Sequence, residues 1–327
     1  MRCRREILAG AVLAFTAAPA RAAPRDSTWP QALTMGTGST GGLYGVYGAA
    51  WGAIAAAVTG AHMLYRATEG PNENILLLDR GEIDLAMTTL GIAYDAWTGG
   101  GAWTGGARFR TIRAMFPMYE SAFHGFVPAQ SHIHGVEDLG GSVVGIGPRF
   151  GTGGTYVPRM LQLLGVQVAE FRFGAMASMA DGLLAGSVDA CLIADGPPVP
   201  AFTAAAQRLP IRVFGFTQAE VTRLVRDLPV LSPTRIPAGT YRGQEAGLAC
   251  PGMFNFAICR AGLPTSLVYA VTAAVLAGAP RLTAHLPVAA ETAAEYVVLD
   301  RFLPFHPGAA EYYRRIGIDV PARLEGR

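Results

Sequence analysis

Arg80-Gly81-Glu82-Ile83-Asp84-Leu85-Ala86-Met87 and Ala185-Gly186-Ser187-Val188-Asp189-Ala190-Cys191-Leu192 share one grammar. In both, a helical run stops at glycine, the chain turns, and a buried strand begins just after aspartate. Asp84 and Asp189 therefore read as structural turn residues. Working outward, the first copy closes a series of strand at 31–36, helix at 43–58, strand at 62–67, helix at 72–80 and strand at 83–88. The second closes a matching series: strand at 142–146, glycine loop at 147–155, helix at 156–164, strand at 169–173, helix at 178–184 and strand at 190–194. Alternation of this kind predicts α/β architecture in two similar lobes. The repeat is about a hundred residues long, which excludes a solenoid. Between the series, residues 112–127 read as two extended segments. Residues 98–106 (TGGGAWTGG) read as an exposed glycine loop without chemistry.

Each series carries a glycine-rich turn between strand and helix: Met35-Gly36-Thr37-Gly38-Ser39-Thr40-Gly41-Gly42 in the first, Gly151-Thr152-Gly153-Gly154-Thr155 in the second. Such turns leave backbone N–H groups free at a helix start, where the helix dipole favours negative charge. Gly36, Gly38 and Gly41 spell G-x-G-x-x-G, yet the expected acid at the end of the second strand is missing. Glu69 lies 28 residues after Gly41, in a turn leading into a helix. A phosphate-binding P-loop fails too, because the chain contains no lysine. That absence also excludes Schiff-base chemistry. The remaining reading pairs the two turns across a cleft, beyond the carboxyl ends of the strands. Polar residues there are Thr37, Ser39, Thr40, Glu69, Asn72, Asn74, Thr88 and Thr89 from the first series, and Arg149, Phe150, Thr152, Thr155 and Asp195 from the second. Several have a plainer alternative. Arg149 reads equally as a solvated loop residue, and Glu69 as a carboxylate favouring its own helix start. Tyr44 sits in the first turn, facing cleft or core, while Tyr47 and Trp51 read as core.

The bulk composition agrees with a folded, exported protein. Of 327 residues 51% are apolar and only 15% charged, which argues against disorder. Arg2, Arg4 and Arg5, an apolar stretch from Ile7 to Ala18, and Ala20-Arg21-Ala22 form an export signal over residues 1–22, of Sec or Tat type. Without it the formal charge falls from +2 to −1. No sustained basic patch offers a nucleic-acid surface, and no later apolar run predicts membrane insertion. His132 and His134 are the closest approach to a metal-like pair, so no metal site is expected. No cofactor is expected either. Cys191 reads as a buried thiol, and Cys250 and Cys259 are spaced so that pairing remains open. Ser39 or Ser121 with His124 and Asp95 can be strung into a hydrolytic triad, but no G-x-S-x-G elbow accompanies them.

In order, the motifs resemble the TAXI family of TRAP-transporter solute-binding proteins. The resemblance rests on Met35 through Tyr44, Asn72-Glu73-Asn74 with Leu76 to Leu78, Gly81-Glu82-Ile83-Asp84-Leu85, Val144-Gly145-Ile146-Gly147-Pro148 with Gly151-Thr152-Gly153, Gly186-Ser187-Val188-Asp189-Ala190, Ile236 through Gln244, and His306 through Tyr313. These span about residues 33–318. The resemblance implies a two-lobed type II periplasmic binding protein, a clamshell with its ligand cleft between lobes. Residues 31–120 with 250–327 would form lobe one, and 121–249 lobe two. It further implies a periplasmic, monomeric protein without catalytic activity that hands a small organic anion, a glutamate-like amino acid or carboxylate, to a TRAP-type permease. Carried over by position, Gly38, Thr40, Tyr44, Asn72, Thr88, Thr152 and Gly153 would line the cleft. Pro148-Arg149-Phe150-Gly151 and Glu69-Gly70-Pro71 depart from the family pattern. There Arg149 would grip a second carboxylate and Phe150 wall an apolar portion. A ligand-reading partner of a signalling receptor is the alternative use of such a clamshell.

Overall fold

The computed structural model describes residues 26–326, so the export signal lies outside the described residues. The first series forms β1 (Ala32–Gly36), α1 (Leu43–Thr59), β2 (His62–Arg66), α2 (Pro71–Asp79), β3 (Leu85–Thr89) and α3 (Leu90–Thr98). A long strand, β4 (Ile112–Pro128), leads into the second series: β5 (Val143–Gly145), α4 (Thr152–Leu164), β6 (Glu170–Arg172), α5 (Met176–Ala185) and β7 (Ala190–Asp195). Then come α6 (Pro200–Ala205), β8 (Ile211–Phe214), α7 (Gln218–Asp227), β9 (Ser232–Ile236), β10 (Leu248–Arg260), α8 (Thr265–Thr283) and α9 (Pro307–Arg315).

All ten strands join one sheet in the order β2-β1-β3-β10-β4-β7-β5-β6, with β8 added to β4 and β9 to β10. The order is symmetric about its middle. On one side β2, β1 and β3 run parallel and meet β10 antiparallel. On the other, β6, β5 and β7 run parallel and meet β4 antiparallel. β4 and β10 pair with each other at the centre, from Ile112/Arg260 to Ala122/Gly252. Each long strand thus serves both halves. Residues 112–128, expected as two segments, form one strand because its partner changes along its length from β10 to β7 and β8, while its hydrogen bonding continues.

The repeated octapeptides do the same work twice. Gly81 and Gly186 both adopt φ +69°, the left-handed conformation that glycine reaches without a Cβ penalty. Three residues later, just before each strand begins, the Asp84 carboxylate accepts from Thr34 N (2.9 Å) and the Asp189 carboxylate from Val143 N (2.7 Å). Each aspartate therefore pins the last strand of its series to the first.

Helix α1 lays Tyr47 and Trp51, both fully buried, onto the sheet. Trp51 meets Phe116 edge-on at 5.4 Å and Tyr47 meets Tyr119 at 5.0 Å, the geometry aromatic quadrupoles favour. A smaller cluster around Phe126, Phe202 and Cys191 fills the second half, with Phe126 and Phe202 stacked at 4.0 Å. Helix α8 is long and apolar enough by composition to cross a bilayer, but it buries Leu267, Val268, Val271 and Val275 in the larger core.

Three expectations change. Helix α4 starts at Thr152, not Tyr156, so Thr152 to Thr155 are its first turn. Glycine weakens a helix interior, but at a start it leaves backbone donors accessible. The loop at 98–106 is preceded by α3 and held by Trp103, which stacks on Phe109 at 5.8 Å. Cys250 and Cys259 are both buried and free on one extended strand. Nine residues of strand hold them about 30 Å apart, far beyond disulfide reach.

The two late motifs gain a structural reading. The Tyr241 hydroxyl accepts from Val199 N (3.0 Å) and meets His124 Nε2 at 2.7 Å, while Gln244 closes the 237–244 turn through Pro237 O. His306 caps α9 and also reaches Leu263 O (3.0 Å). The first motif ties the β9–β10 connection to Val199 and β4, and the second ties the start of α9 to the chain before α8.

Candidate functional site

The carboxyl ends of β1, β3, β5 and β7 converge where the two halves of the sheet meet, and there the glycine turns face each other. Residues 39–42 are clasped directly by the second half: Ala177 N donates to Thr40 O (3.0 Å) and Ala201 N to Gly41 O (3.1 Å). Gly41 has φ +85°, and a Cβ there would lie 2.8 Å from Ala177 N and 2.9 Å from the Ala201 methyl. Gly70, at φ +135°, is as constrained, because its Cβ would meet Phe150 O at 2.9 Å. Both glycines permit one half to touch the other.

Between the halves lies a cavity of about 40 Å³ lined by Gly38, Ser39, Leu43 and Tyr44 with Glu69, Thr89 and Ser121 from the first-half side and β4, and by Gly151, Thr152, Met176 and Asp195 from the second. That holds a few waters at about 15 Å³ each, well under the ~300 Å³ usual for a small-molecule pocket. A wider mouth of about 600 Å³ follows, shaped by Thr40, Glu69, Glu73, Arg149, Phe150 and Phe173.

The residues expected at the cleft divide into three sets. Gly38, Ser39, Tyr44, Glu69, Thr152 and Asp195 border the inner cavity. Thr40, Arg149 and Phe150 stand at the mouth; Arg149 is exposed, its guanidinium 3.9 Å above the Phe173 ring. Asn72, Thr88 and Gly153 border neither space. The Asn72 amide instead bridges the halves. In the orientation that satisfies both its ends it donates to Phe150 O (2.9 Å) and accepts from Thr155 Oγ1 (3.1 Å) and Trp103 Nε1 (3.3 Å). Thr88 is fully buried and donates to Thr89 O (3.2 Å). Gly153 faces the sheet, where a Cβ would lie 2.6 Å from Ile146 O. Asn74 is likewise structural: it takes the Thr68 hydroxyl (2.8 Å) and donates to Met87 O (2.9 Å).

Sequence reasoning missed Met176 and the way Ser121 enters. Ser121 lies where β4 changes partners and accepts from Asn255 Nδ2 at 2.9 Å. Asn255 sits at a register shift between β10 and β4, a bulge of the kind that re-aims a side chain beside a site. Its amide also donates to Tyr119 O (2.7 Å), and its oxygen takes the Tyr44 hydroxyl at 2.5 Å. The bulge therefore fixes Tyr44. No local signal marks it, because the shift depends on the pairing of strands more than a hundred residues apart.

Two helix starts contribute differently. Thr152, Gly153 and Gly154 open α4, and their N–H groups have no acceptor among the described residues. At α1, by contrast, Leu43 N donates to the Asp195 carboxylate at 3.0 Å. Asp195 also accepts from Gly196 N (2.8 Å). Burial pushes its carboxyl up to about 7, and the two N–H donors only partly oppose that. Across the halves, Thr89 Oγ1 lies 3.1 Å from Thr152 Oγ1.

The triad assembled on paper is not assembled in space. His124 uses one ring nitrogen on Ala122 O (2.8 Å) and the other on Tyr241, and its burial pushes it down to about 4. Asp95 accepts instead from the Tyr156 hydroxyl (3.2 Å).

A symmetric sheet built from two parallel series, joined by two long antiparallel strands with a cavity at the strand ends, defines the type II periplasmic-binding fold. Two solved structures share it. Periplasmic binding protein BugD superposes with a TM-score of 0.56 at 11% identity, over 89% of this chain and 99% of that one. The alkanesulfonate-binding protein SsuA of Xanthomonas axonopodis pv. citri, bound to MOPS, gives 0.51 at 16% identity, over 90% and 86%. The model of the NMT1-like family matches residues 35–317, and the chain belongs to that family. The match spans nearly the whole ordered series of motifs from Met35 onward.

Proposed function

We propose that this protein is the periplasmic solute-binding component of a TRAP-type transporter of the TAXI kind, capturing a small carboxylate-bearing solute and passing it to a membrane permease. The observation that carries the reading is the opposition of the two glycine turns across one cavity, with the α4 donors unspent. Residues 31–120 with 250–327 act as one lobe and 121–249 as the other, and the strands β4 and β10 flex between them. The ordered motifs support the TRAP-type partner. The small cavity supports capture by closure, since a solute larger than a few waters enters only when the lobes part.

A thermal-shift screen of amino acids, organic acids and nucleotides tests this. A bound solute at a hundred times its Kd adds about 2.7 kcal/mol, a shift of several degrees. Saturable stabilisation by one acid without product formation is the expected result. Stabilisation by NAD instead, or turnover of any acid, would overturn the reading.

A further inference from the structure

We propose that a groove beside the two central strands, separate from the cleft, is a second binding site, for an organic ammonium ion carrying an apolar body. The groove measures about 640 Å³, a volume usual for a small-molecule site. It is lined by α3 and the 3₁₀ turn Ala294–Leu299 of the first half, by the 229–233 connection from α7 to β9, and by Glu120 of β4, Phe254 of β10 and Glu291. The central strands thus serve both spaces. Successive strand residues point to opposite faces, so Ser121 borders the inner cavity while Glu120 borders the groove. On β10, Asn255 holds Tyr44 whereas Phe254 lines the groove.

Two half-buried carboxylates give the groove its charge. Glu120 N donates to Glu291 Oε2 at 2.6 Å, and Ser232 Oγ donates to Glu120 Oε1. Gly252 leaves the space that the Glu120 carboxylate fills. Burial pushes both carboxyls up; the hydroxyls of Ser232 and Thr234 oppose this at Glu120, and the Glu120 N–H opposes it at Glu291, which the Glu120 charge raises further. No cation figures among these influences. Among the described residues lining the groove the one base is Arg301, and it is exposed. Neighbouring carboxylates without a partner favour a cation from solution. No third ligand joins them among the described residues to hold a metal ion. The rings beside them specify the rest of the molecule. Tyr94 meets Phe302 edge-on at 5.3 Å, and Phe254 lies 5.2 Å from Tyr296. Tyr94 and Tyr296 remain 42% and 36% exposed, so their surfaces are open to a ligand. Aromatic faces attract cations within about 6 Å and cover apolar carbon. A neutral apolar molecule leaves the carboxylates unmatched, and an anion is repelled. An amine with an aryl or alkyl body satisfies both parts of the lining.

Calorimetry with 2-phenylethylamine, 2-phenylethanol, 3-phenylpropionate and ethylamine separates the charge from the body. The expected result is that 2-phenylethylamine binds at least tenfold more tightly than each of the other three. Glu291→Gln keeps an acceptor for Glu120 N while removing a charge, and should weaken the amine at least fivefold. Tyr296→Ala, at an exposed position, should weaken it at least threefold and keeps the test standing if the glutamate variant does not fold. Equal binding of the amine and the alcohol, or affinity unchanged by both substitutions, overturns the assignment. So does failure of all four probes to bind. Loss of binding in Asp195→Asn, with Glu291→Gln and Tyr296→Ala binding as the wild type does, would put the amine in the cleft and also overturn it. None of these outcomes bears on whether the cleft captures a solute, so the two readings fail separately.

Discussion

Replacing Asp195 with asparagine tilts the pH dependence of stability, and the tilt can be worked from four buried groups. Asp195 and Asp300 are both pushed up by burial, from 3.8 to about 7. Between those values the folded chain keeps a proton on each that the unfolded chain releases. Stability therefore falls with rising pH by about 1.4 kcal/mol per pH unit for each. His124 and His306 are pushed down by burial, from 6.5 to about 4. Between those values the unfolded chain holds protons that the folded chain refuses, and stability rises at the same rate for each. From about pH 4 to 6.5 the two pairs oppose each other and nearly cancel, so these groups leave the wild type almost flat. Asparagine at 195 removes one falling contribution. The difference between variant and wild type then grows with pH across the whole window, by up to about 4 kcal/mol between pH 4 and 7. Asparagine keeps only one acceptor oxygen for the donors Leu43 N and Gly196 N, and the lost bond adds a destabilising offset of about 1–3 kcal/mol, which moves the line without changing its slope. Urea unfolding of both proteins at pH 4.5, 5.5, 6.5 and 7.5, without solute, measures the slope directly. Parallel lines would refute the reasoning, since they require that Asp195 titrate alike in both states.

Three other outcomes test the frame. Gly41→Val places a Cβ against Ala177 N and Ala201 at a φ of +85°; small-angle scattering should report a larger radius of gyration than the wild type, and an unchanged value would mean that the contact does not govern closure. Gly153→Val drives a side chain into Ile146 O and should lower stability by about 1–3 kcal/mol, as overpacking does; a neutral effect would show that the α4 start has slack against β5. Reducing agent should leave the melting temperature unchanged and thiol titration after unfolding without reductant should find Cys250 and Cys259 free; a protected pair would contradict their place on one strand.

Much of the scaffold was legible because its rules are local. Glycine stops at 81 and 186 and the aspartates after them are set by turn geometry within a few residues, and each copy vouches for the other. Helix and strand edges drifted where a residue type favours one state and its position demands another. The first turn of α4 is glycine-rich, so its pattern reads as loop, although the same glycines leave donors free and let the helix sit close to β5. The inner cavity was half legible. Gly38, Ser39, Tyr44, Glu69, Thr152 and Asp195 follow from where turns meet strand ends. Ser121 and Met176 do not, because a mid-strand residue and the first residue of α5 reach the cavity only through the sheet's central pairing. Gly153 shows the converse: correct in its turn, it faces the sheet and not the cleft.

The chemistry lies where the repeat breaks. Aligning Asp84 with Asp189 sets Thr89 against Ala194 and Leu90 against Asp195. In the first half, strand β3 ends in Thr89, which opens α3 at once with no carboxylate beside it. In the second, the strand runs one residue further to Asp195, followed by Gly196-Pro197-Pro198 before α6 begins. That extra step carries a carboxylate across to Leu43 N of the opposite half. A symmetric clamshell would present two equivalent helix starts to the cleft. Here the two starts differ: at α1 one donor, Leu43 N, is taken by the Asp195 carboxylate of the opposite half, whereas no side chain caps the start of α4.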